Sequence, residues 1–478
     1  MAKKEKAQYT KHLKFREILI FSLGLFGLQM IVFYLNSYQV EFYGATKMVP
    51  VDKMVIVPFI ILGAKVVSAF FDPIIGNLID RKKTGKLGKL KPFILYSIAP
   101  LLLFTILIYV KVPIKGFALY VWIFFTTTAW SIAMTVADVP SQAMSAVLTP
   151  DPTERTNVIS FSGTLRSIGQ AAPYVVVPII CAIVPSGASL VDGSLNASEY
   201  LVSAIVIGIL GCLMLLLIVF VNKERVPYVT EKMSLKTTFE AIKGNKYLML
   251  IMLSFFLGFG RHAAMAIQVQ TATAILGSAN KILILGLPSA AGTMTSMVLT
   301  PVLIKYFDER KVYVGLSFYG FATAILAFCL GKYTSYHMAG LVIGLFLMCL
   351  QFGAVNIMPM IMVADSVDYY EHKTGKRTEG IAYAVLSFSI KVTLALGAAV
   401  SLAVVYSSKV GYDATIPASE ITKSTKDGVY FAYNLIPGIS SFLAAIPILF
   451  YDLTKDKKKK ISEELNARRA ASENTESE

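Results

Sequence analysis

Long apolar runs separated by short polar connections fill the chain from residue 18 to residue 451. Twelve runs are legible: 18–42, 54–79, 92–112, 117–148, 157–184, 200–221, 247–276, 282–307, 312–330, 338–365, 380–407 and 431–451. Each is about as long as a helix needs to be to cross the hydrocarbon core of a bilayer. The runs are continuous rather than alternating, which excludes transmembrane β-strands. Gly and Pro interrupt several, as membrane helices tolerate when neighbours satisfy the freed backbone. The pattern predicts an all-α polytopic membrane protein of twelve transmembrane helices.

The connections differ in charge by side. Those at 1–16, 81–91, 223–246, 308–311, 371–377 and 455–460 are rich in Lys and Arg, whereas those at 43–52, 113–115, 185–199, 277–281, 331–336 and 409–429 are much poorer. Basic loops stay in the cytoplasm, so both termini are expected there, in the plasma (inner) membrane. The longest basic connection divides the chain into an N-terminal stretch 1–17, a six-helix bundle 18–222, a central loop 223–246, a second bundle 247–453 and a charged tail 454–478. Composition predicts that the tail is disordered. The bundles echo one another. Val136-Ala137-Asp138 closes the fourth run and Val363-Ala364-Asp365 the tenth, and the next run in each half carries one cation, Arg166 or Lys391. Two six-helix bundles related by a pseudo-two-fold axis are the major facilitator architecture, which places a binding site at the midplane.

Composition agrees. Of 478 residues 55% are hydrophobic and only 16% charged, against about a quarter charged in soluble domains. The net charge of +15 follows from the basic cytoplasmic loops, so it does not indicate a nucleic-acid partner. The four cysteines stand singly in apolar runs, in no metal-binding or disulfide spacing. No nucleophile–base pair, metal cluster or phosphate-cradling loop is present, so no enzyme and no cofactor is expected. A retained first helix is expected rather than a signal peptide.

Ionisable residues inside a membrane are costly and mark function by default. Lys65, Ser68 and Asp72 recur at helical spacing in the second run. They read as a cation or proton site at Asp72, or as a Lys65–Asp72 structural pair. Thr135 and Asp138 in the fourth run, Arg166 in the fifth and Lys391 in the eleventh read as hydrogen-bonding groups for a polar ligand, or, for Asp138–Arg166, as an interhelical lock. Ser387 lies one turn from Lys391. Arg261-His262 falls mid-way along the seventh run, where one of the two can face a central cavity. Arg81, Asp365, Asp368, Glu371 and Arg377 are candidates for a cytoplasmic gate of ion pairs.

Two stretches carry a resemblance. One is Asp72-Pro73-Ile74-Ile75-Gly76 with Asp80-Arg81, Gly88-Lys89 and Lys91-Pro92-Phe93; the other runs from Met362 to Tyr369 and on through Glu371, Lys373 to Arg377, Glu379-Gly380 and Lys391. Both resemble the glycoside–pentoside–hexuronide:cation symporter family, in order through nearly all twelve runs. The resemblance implies cation-coupled uptake of a sugar by alternating access, with Asp72 and Thr135 at the cation site. It implies sugar contact for Asp138, Arg166 and Lys391. The chain departs from the family pattern: Ser68 and Phe71 replace an acid and an Asn of the cation site, Gln29 replaces the first-span sugar-binding acid, and Gln142 a fourth-span Trp. One carboxylate makes a poor sodium cage, so H+ is the expected coupling ion ahead of Na+. The more cationic cavity suits an acidic sugar. The expected protein is a monomeric sugar, glycoside or hexuronide importer embedded in lipid. An uncoupled facilitator or exchanger is the alternative, and a non-transporting sugar sensor a remote one.

Overall fold

The structure is a computed structural model that describes residues 13–82, 85, 87–149, 152–184, 195–225, 243–375, 379–461 and 463–465. Most of the central loop, the N-terminal 12 residues, and 466–478 of the tail lie outside the described residues. The elements are α1 (Phe15–Ala45), α2 (Ile56–Ala69), α3 (Phe71–Arg81), α4 (Lys91–Ile108), α5 (Phe117–Val147), α6 (Pro152–Ile183) and α7 (Ala197–Val221). They continue as α8 (Lys246–Leu257), α9 (Ala263–Ala266), α10 (Gln268–Leu276), α11 (Leu283–Tyr306), α12 (Glu309–Tyr333), α13 (Met338–Thr374), α14 (Glu379–Val405) and α15 (Lys423–Leu449). No strand occurs among the described residues. Eleven helical segments are long and apolar enough to cross a membrane, and the bent pair Lys246–Leu257 and Phe259–Ala266, at 48°, makes up to a twelfth.

The second and seventh runs are each interrupted, the seventh sharply. The second run is interrupted at Phe70, whose backbone stays in the right-handed helical region, so Ile56–Gly76 still forms one candidate span and Asp72 stands in the first turn of α3. The seventh run divides into α8, a 3-10 turn Phe259–His262, α9 and α10. Glycine is a poor helix former, and Gly258 and Gly260 flank the break. The freed backbone groups find other partners: the Gly260 N–H donates to Ser440 Oγ at 2.8 Å, and Arg261 Nε donates to the Gly258 carbonyl at 2.8 Å.

The chain forms two compact units. The first comprises 1–39, 70–186 and 197–230; the second comprises 40–69, 187–196 and 231–478. Residues 40–69 thus group with the unit that holds the second run of spans. In the first unit α4 packs on α5 and α7. A Cβ at Gly27 of α1 would lie 2.8 Å from the Gly211 carbonyl oxygen of α7, so only glycine permits this approach of two backbones, as membrane interfaces favour. Tyr34, Tyr109 and Tyr200 cluster above that contact, with Tyr34 donating to the Tyr200 carbonyl at 2.6 Å. In the second unit α11 packs on α13, α12 on α13 and α15, and α2 on α14. Its core includes Tyr247, Phe255, Tyr313, Met358, Met362, Leu386 and Tyr451.

The basic turn before α4 is anchored by an acid. Glu224, beyond α7, accepts from the backbone N–H groups of Lys89, Leu90 and Lys91 at 2.8, 2.9 and 3.2 Å. These are orphan donors of a helix start, where a negative charge is also favoured by the helix dipole. Arg225 clasps Glu17 at the start of α1 at 2.8 Å, and Asn222 donates to the Glu17 carbonyl. Glu224→Ala is expected to cost about 1–3 kcal/mol by leaving these N–H groups unmet. A thermal-unfolding midpoint in detergent checks it, and an unchanged midpoint would count against the anchor.

Candidate functional site

Four of the predicted ligand residues form one chain of hydrogen bonds inside the first unit. Gln142 Nε2 donates to Asp138 Oδ2 at 2.6 Å, along one helix turn of α5. Arg166 Nη2 of α6 meets Asp138 Oδ1 at 3.2 Å, with side chains 30% and 13% exposed. Arg166 Nε then donates to Gln29 Oε1 of α1 at 3.0 Å. Three helices are tied through one guanidinium, whose planar fork can hold two acceptors at fixed angles. Gln29 is buried, while Gln142 is exposed. The Asp138–Arg166 pair is therefore an interhelical lock whose members still reach open space, and the geometry is compatible with ligand contact as well.

Next to it in the same unit, the Thr135 hydroxyl lies 2.9 Å from Asp72 Oδ1 and 3.2 Å from the Ser131 carbonyl, so its single proton is shared between them. Thr135 is buried and Asp72 half-buried. Thr135 and Asp138 share a face of α5 one turn apart, which places the Asp72 carboxylate and the Asp138–Arg166 pair on neighbouring turns. In the second unit, Ser68 is buried and gives its hydroxyl to the Lys65 carbonyl of its own helix at 2.8 Å.

The other candidates of the second unit take separate positions. Arg261 is buried, its guanidinium 4.6 Å over the Phe255 ring and beside Tyr313, so it faces the interior of that unit. His262 is half-buried against Gly397 of α14. Lys391 is half-buried on α14. Ser387 lies on the same helix, but its side chain is outside the described residues, as is Arg377 altogether.

Of the gate candidates, Arg81 ends α3 with an exposed side chain, and Asp365, Asp368 and Glu371 are half-buried along the last turns of α13. Asp365 has a partner that the sequence pattern did not suggest. Lys458 Nζ lies 2.5 Å from Asp365 Oδ2 and 2.8 Å from Glu309 Oε2. Burial pushes the Lys458 ammonium down, but the two acids outweigh it and hold its pKa above the ordinary lysine value. The start of the tail is thus ordered, contrary to the composition: 455–461 is helical, and Glu464 pairs with His372 at 2.5 Å. Acids on α12 and α13 supply the order that composition alone could not show. Asp452 sits nearby, accepting from Tyr247 at 2.8 Å, with Lys246 at 3.0 Å and Lys457 at 2.8 Å. Lys457 above all, against an opposing push from burial, holds Asp452 below the usual carboxylate range; Tyr247 and Lys246 add to it.

Glu41 was missed. It is a fully buried acid on α1, accepting from the hydroxyls of Tyr406 at 3.0 Å and Tyr412 at 2.8 Å. The signal existed, an acid inside the first apolar run, one residue from its end.

Residues 20–455 match the family described as MFS/sugar transport protein. Among curated relatives is a protein of Salmonella typhimurium provisionally named an exporter of 2,3-dihydroxypropane-1-sulfonate, 26% identical over 96% of this chain and 97% of its own length. Another is the isoprimeverose transporter of Lactiplantibacillus pentosus, 28% identical over 85% of this chain and 83% of its own. Among solved structures, the inward-open xylose transporter XylE of E. coli is similar in fold, with a TM-score of 0.65 at 14% identity, covering 94% of this chain and 99% of that one.

The Asp138–Arg166 lock is open to a double-mutant cycle with Asp138→Asn and Arg166→Gln. A coupling of about 1 kcal/mol or more in thermal stability is expected; additive single effects would remove the pair as a structural element. For Asp452, a folded pKa below the unfolded one contributes stability above the unfolded value of about 3.9, lost as pH falls toward the folded value. Asp452→Asn should therefore lower the unfolding midpoint by a constant amount at neutral and mildly acidic pH. The gap from wild type should shrink only below about pH 4, and a gap that closes by pH 6 would contradict the pairing.

Proposed function

This chain belongs to the MFS/sugar transport protein family, and we propose that it imports a sugar, glycoside or hexuronide by alternating access, coupled to H+ through Asp72. The observation that carries the reading is the adjacency in the first unit of two sites. One is a carboxylate held by Thr135; the other is the Gln142–Asp138–Arg166–Gln29 chain. Carboxylate and guanidinium groups match the hydroxyls of a sugar, and Asp138 can exchange Gln142 for a sugar hydroxyl without losing Arg166. A ligand bound there lies one helix turn from Asp72, so occupancy of one site alters the solvation of the other. Coupling of this kind needs only that the cycle proceed faster with both sites filled or both empty.

The absence of a second acid supports H+ over Na+. Ser68 stands where the sodium-binding pattern has a carboxylate, and its hydroxyl proton is committed to the Lys65 carbonyl. A proton needs a single carboxylate. The cations Arg166 and Lys391 support an acidic cargo, as does the relative named for a sulfonate. The carrier works as a monomer in the plasma membrane with both termini cytoplasmic. A second reading, an uncoupled exchanger, draws on the same Ser68, and the export named for one relative keeps the direction of flux in play.

Reconstituted vesicles loaded and unloaded with isoprimeverose, a glucuronide and 2,3-dihydroxypropane-1-sulfonate test the proposal. Wild type should accumulate one of them above its external concentration when the outside is acidic. Asp72→Asn should bring that accumulation to equilibrium while exchange continues. Accumulation that survives in Asp72→Asn would remove Asp72 from coupling, and accumulation driven by Na+ alone would remove the proton.

A further inference from the structure

Glu41 has the makings of a site that the reading above does not use. Its side chain has no exposure to solvent, although it is a carboxylate. Tyr406, at the end of α14, and Tyr412, in the connection that follows, each donate a hydroxyl to a different carboxylate oxygen. All three residues belong to the second compact unit. The groups that face Glu41 from the surrounding elements are those two phenols, the Gln270 amide of α10 and the carboxylate of Asp413. Among the described residues Glu41 forms no ion pair, and Asp413, the charged group that acts on it, is another acid.

A buried carboxylate is costly when ionised unless a cation compensates it. Hydrogen bonds from neutral hydroxyls replace part of the lost hydration but bring no charge. The ligand that removes the cost is a proton. With it, the Glu41 carboxyl donates to one phenol oxygen, whose own proton turns to another acceptor, and keeps accepting from the other phenol. The two tyrosines also close the carboxylate off from water: their rings stand edge to face at 5.5 Å. A group that is sealed in this way, near the end of α1 and beside connections poor in basic residues, exchanges its proton only when the enclosure opens.

From this arrangement we infer that Glu41, enclosed by Tyr406 and Tyr412, is a proton-binding site of this protein, separate from Asp72. The proton comes from the aqueous phase when the enclosure is open, sits on one Glu41 oxygen when it is closed, and returns to water on reopening. Its use in a transport cycle rests on the carrier reading; the existence of the site does not.

Infrared difference spectroscopy of the full chain reconstituted in phosphatidylcholine vesicles tests it, with protons as the only probe. Spectra are taken in H2O and D2O at neutral pH for wild type, Glu41→Gln and Asp72→Asn. Wild type should show a carboxylic-acid carbonyl band that moves in D2O, is lost completely in Glu41→Gln and is retained in Asp72→Asn. If Glu41→Gln does not fold, Tyr412→Phe serves: removing one hydroxyl bonded to the acid should shift the same band. A spectrum unchanged by Glu41→Gln, or a band unmoved in Tyr412→Phe, would overturn the proposal. No sugar enters the measurement, so its failure leaves the carrier reading standing, and failure of Asp72→Asn to alter accumulation leaves this one standing.

Discussion

A charge within a bilayer is tolerated only where the protein itself supplies the partner. The arrangement of this chain follows from that constraint. Arg166 is satisfied by Asp138 and Gln29, which come from two other helices, so α1, α5 and α6 converge at one guanidinium. Asp72 is satisfied by Thr135, which brings α3 against α5. The same rule holds at the membrane edge, where Lys458 is matched by Glu309 and Asp365 and Glu224 by three backbone donors. Apolar packing holds the helices side by side. The charged contacts decide which helix faces are turned toward one another.

Much of this was legible in the residues. The apolar runs match the helices because a bilayer leaves few other solutions for a backbone. Asp72, and Asp138 with Arg166, were legible because an ionisable residue in such a run is rare enough to stand out; only the family resemblance joined Thr135 to Asp72. Other features were not. The break of the seventh span depends on Ser440 of α15 receiving the Gly260 N–H, a tertiary contact with no local signature. The helix at 455–461 reads as disordered from its lysines, and is ordered by acids more than 80 residues earlier in the chain. Arg261, the least expected cation in the sequence, lies against Phe255 and its own backbone; an arginine's burial depends on its rotamer, which spacing cannot show. Glu41 escaped notice because its partners, Tyr406 and Tyr412, lie more than 360 residues away in sequence.

Departures from the family pattern also gain a physical reading. Gln29 takes the place of an acid but keeps a carbonyl oxygen in position, and that oxygen is the one Arg166 binds. Gln142 takes the place of an aromatic residue and occupies the second oxygen of Asp138. Both residues take part in the hydrogen-bond chain without adding charge to it.

The amide at position 29 has a further consequence. It leaves Arg166 and Asp138 as a one-to-one pair, so the empty network is electrically neutral. Over a complete cycle the protein returns to its starting state, so on the proposed reading the charge that crosses the membrane is that of the cargo and any companion ion. A neutral sugar moving with a proton carries one elementary charge, and a membrane voltage contributes about 2.3 kcal/mol per 100 mV to its accumulation. A sugar acid moving with a proton carries none, and only the pH difference and its own gradient act on it. The charge of the cargo, and not a fixed charge beside Arg166, thus decides which form of cellular energy acts on the carrier.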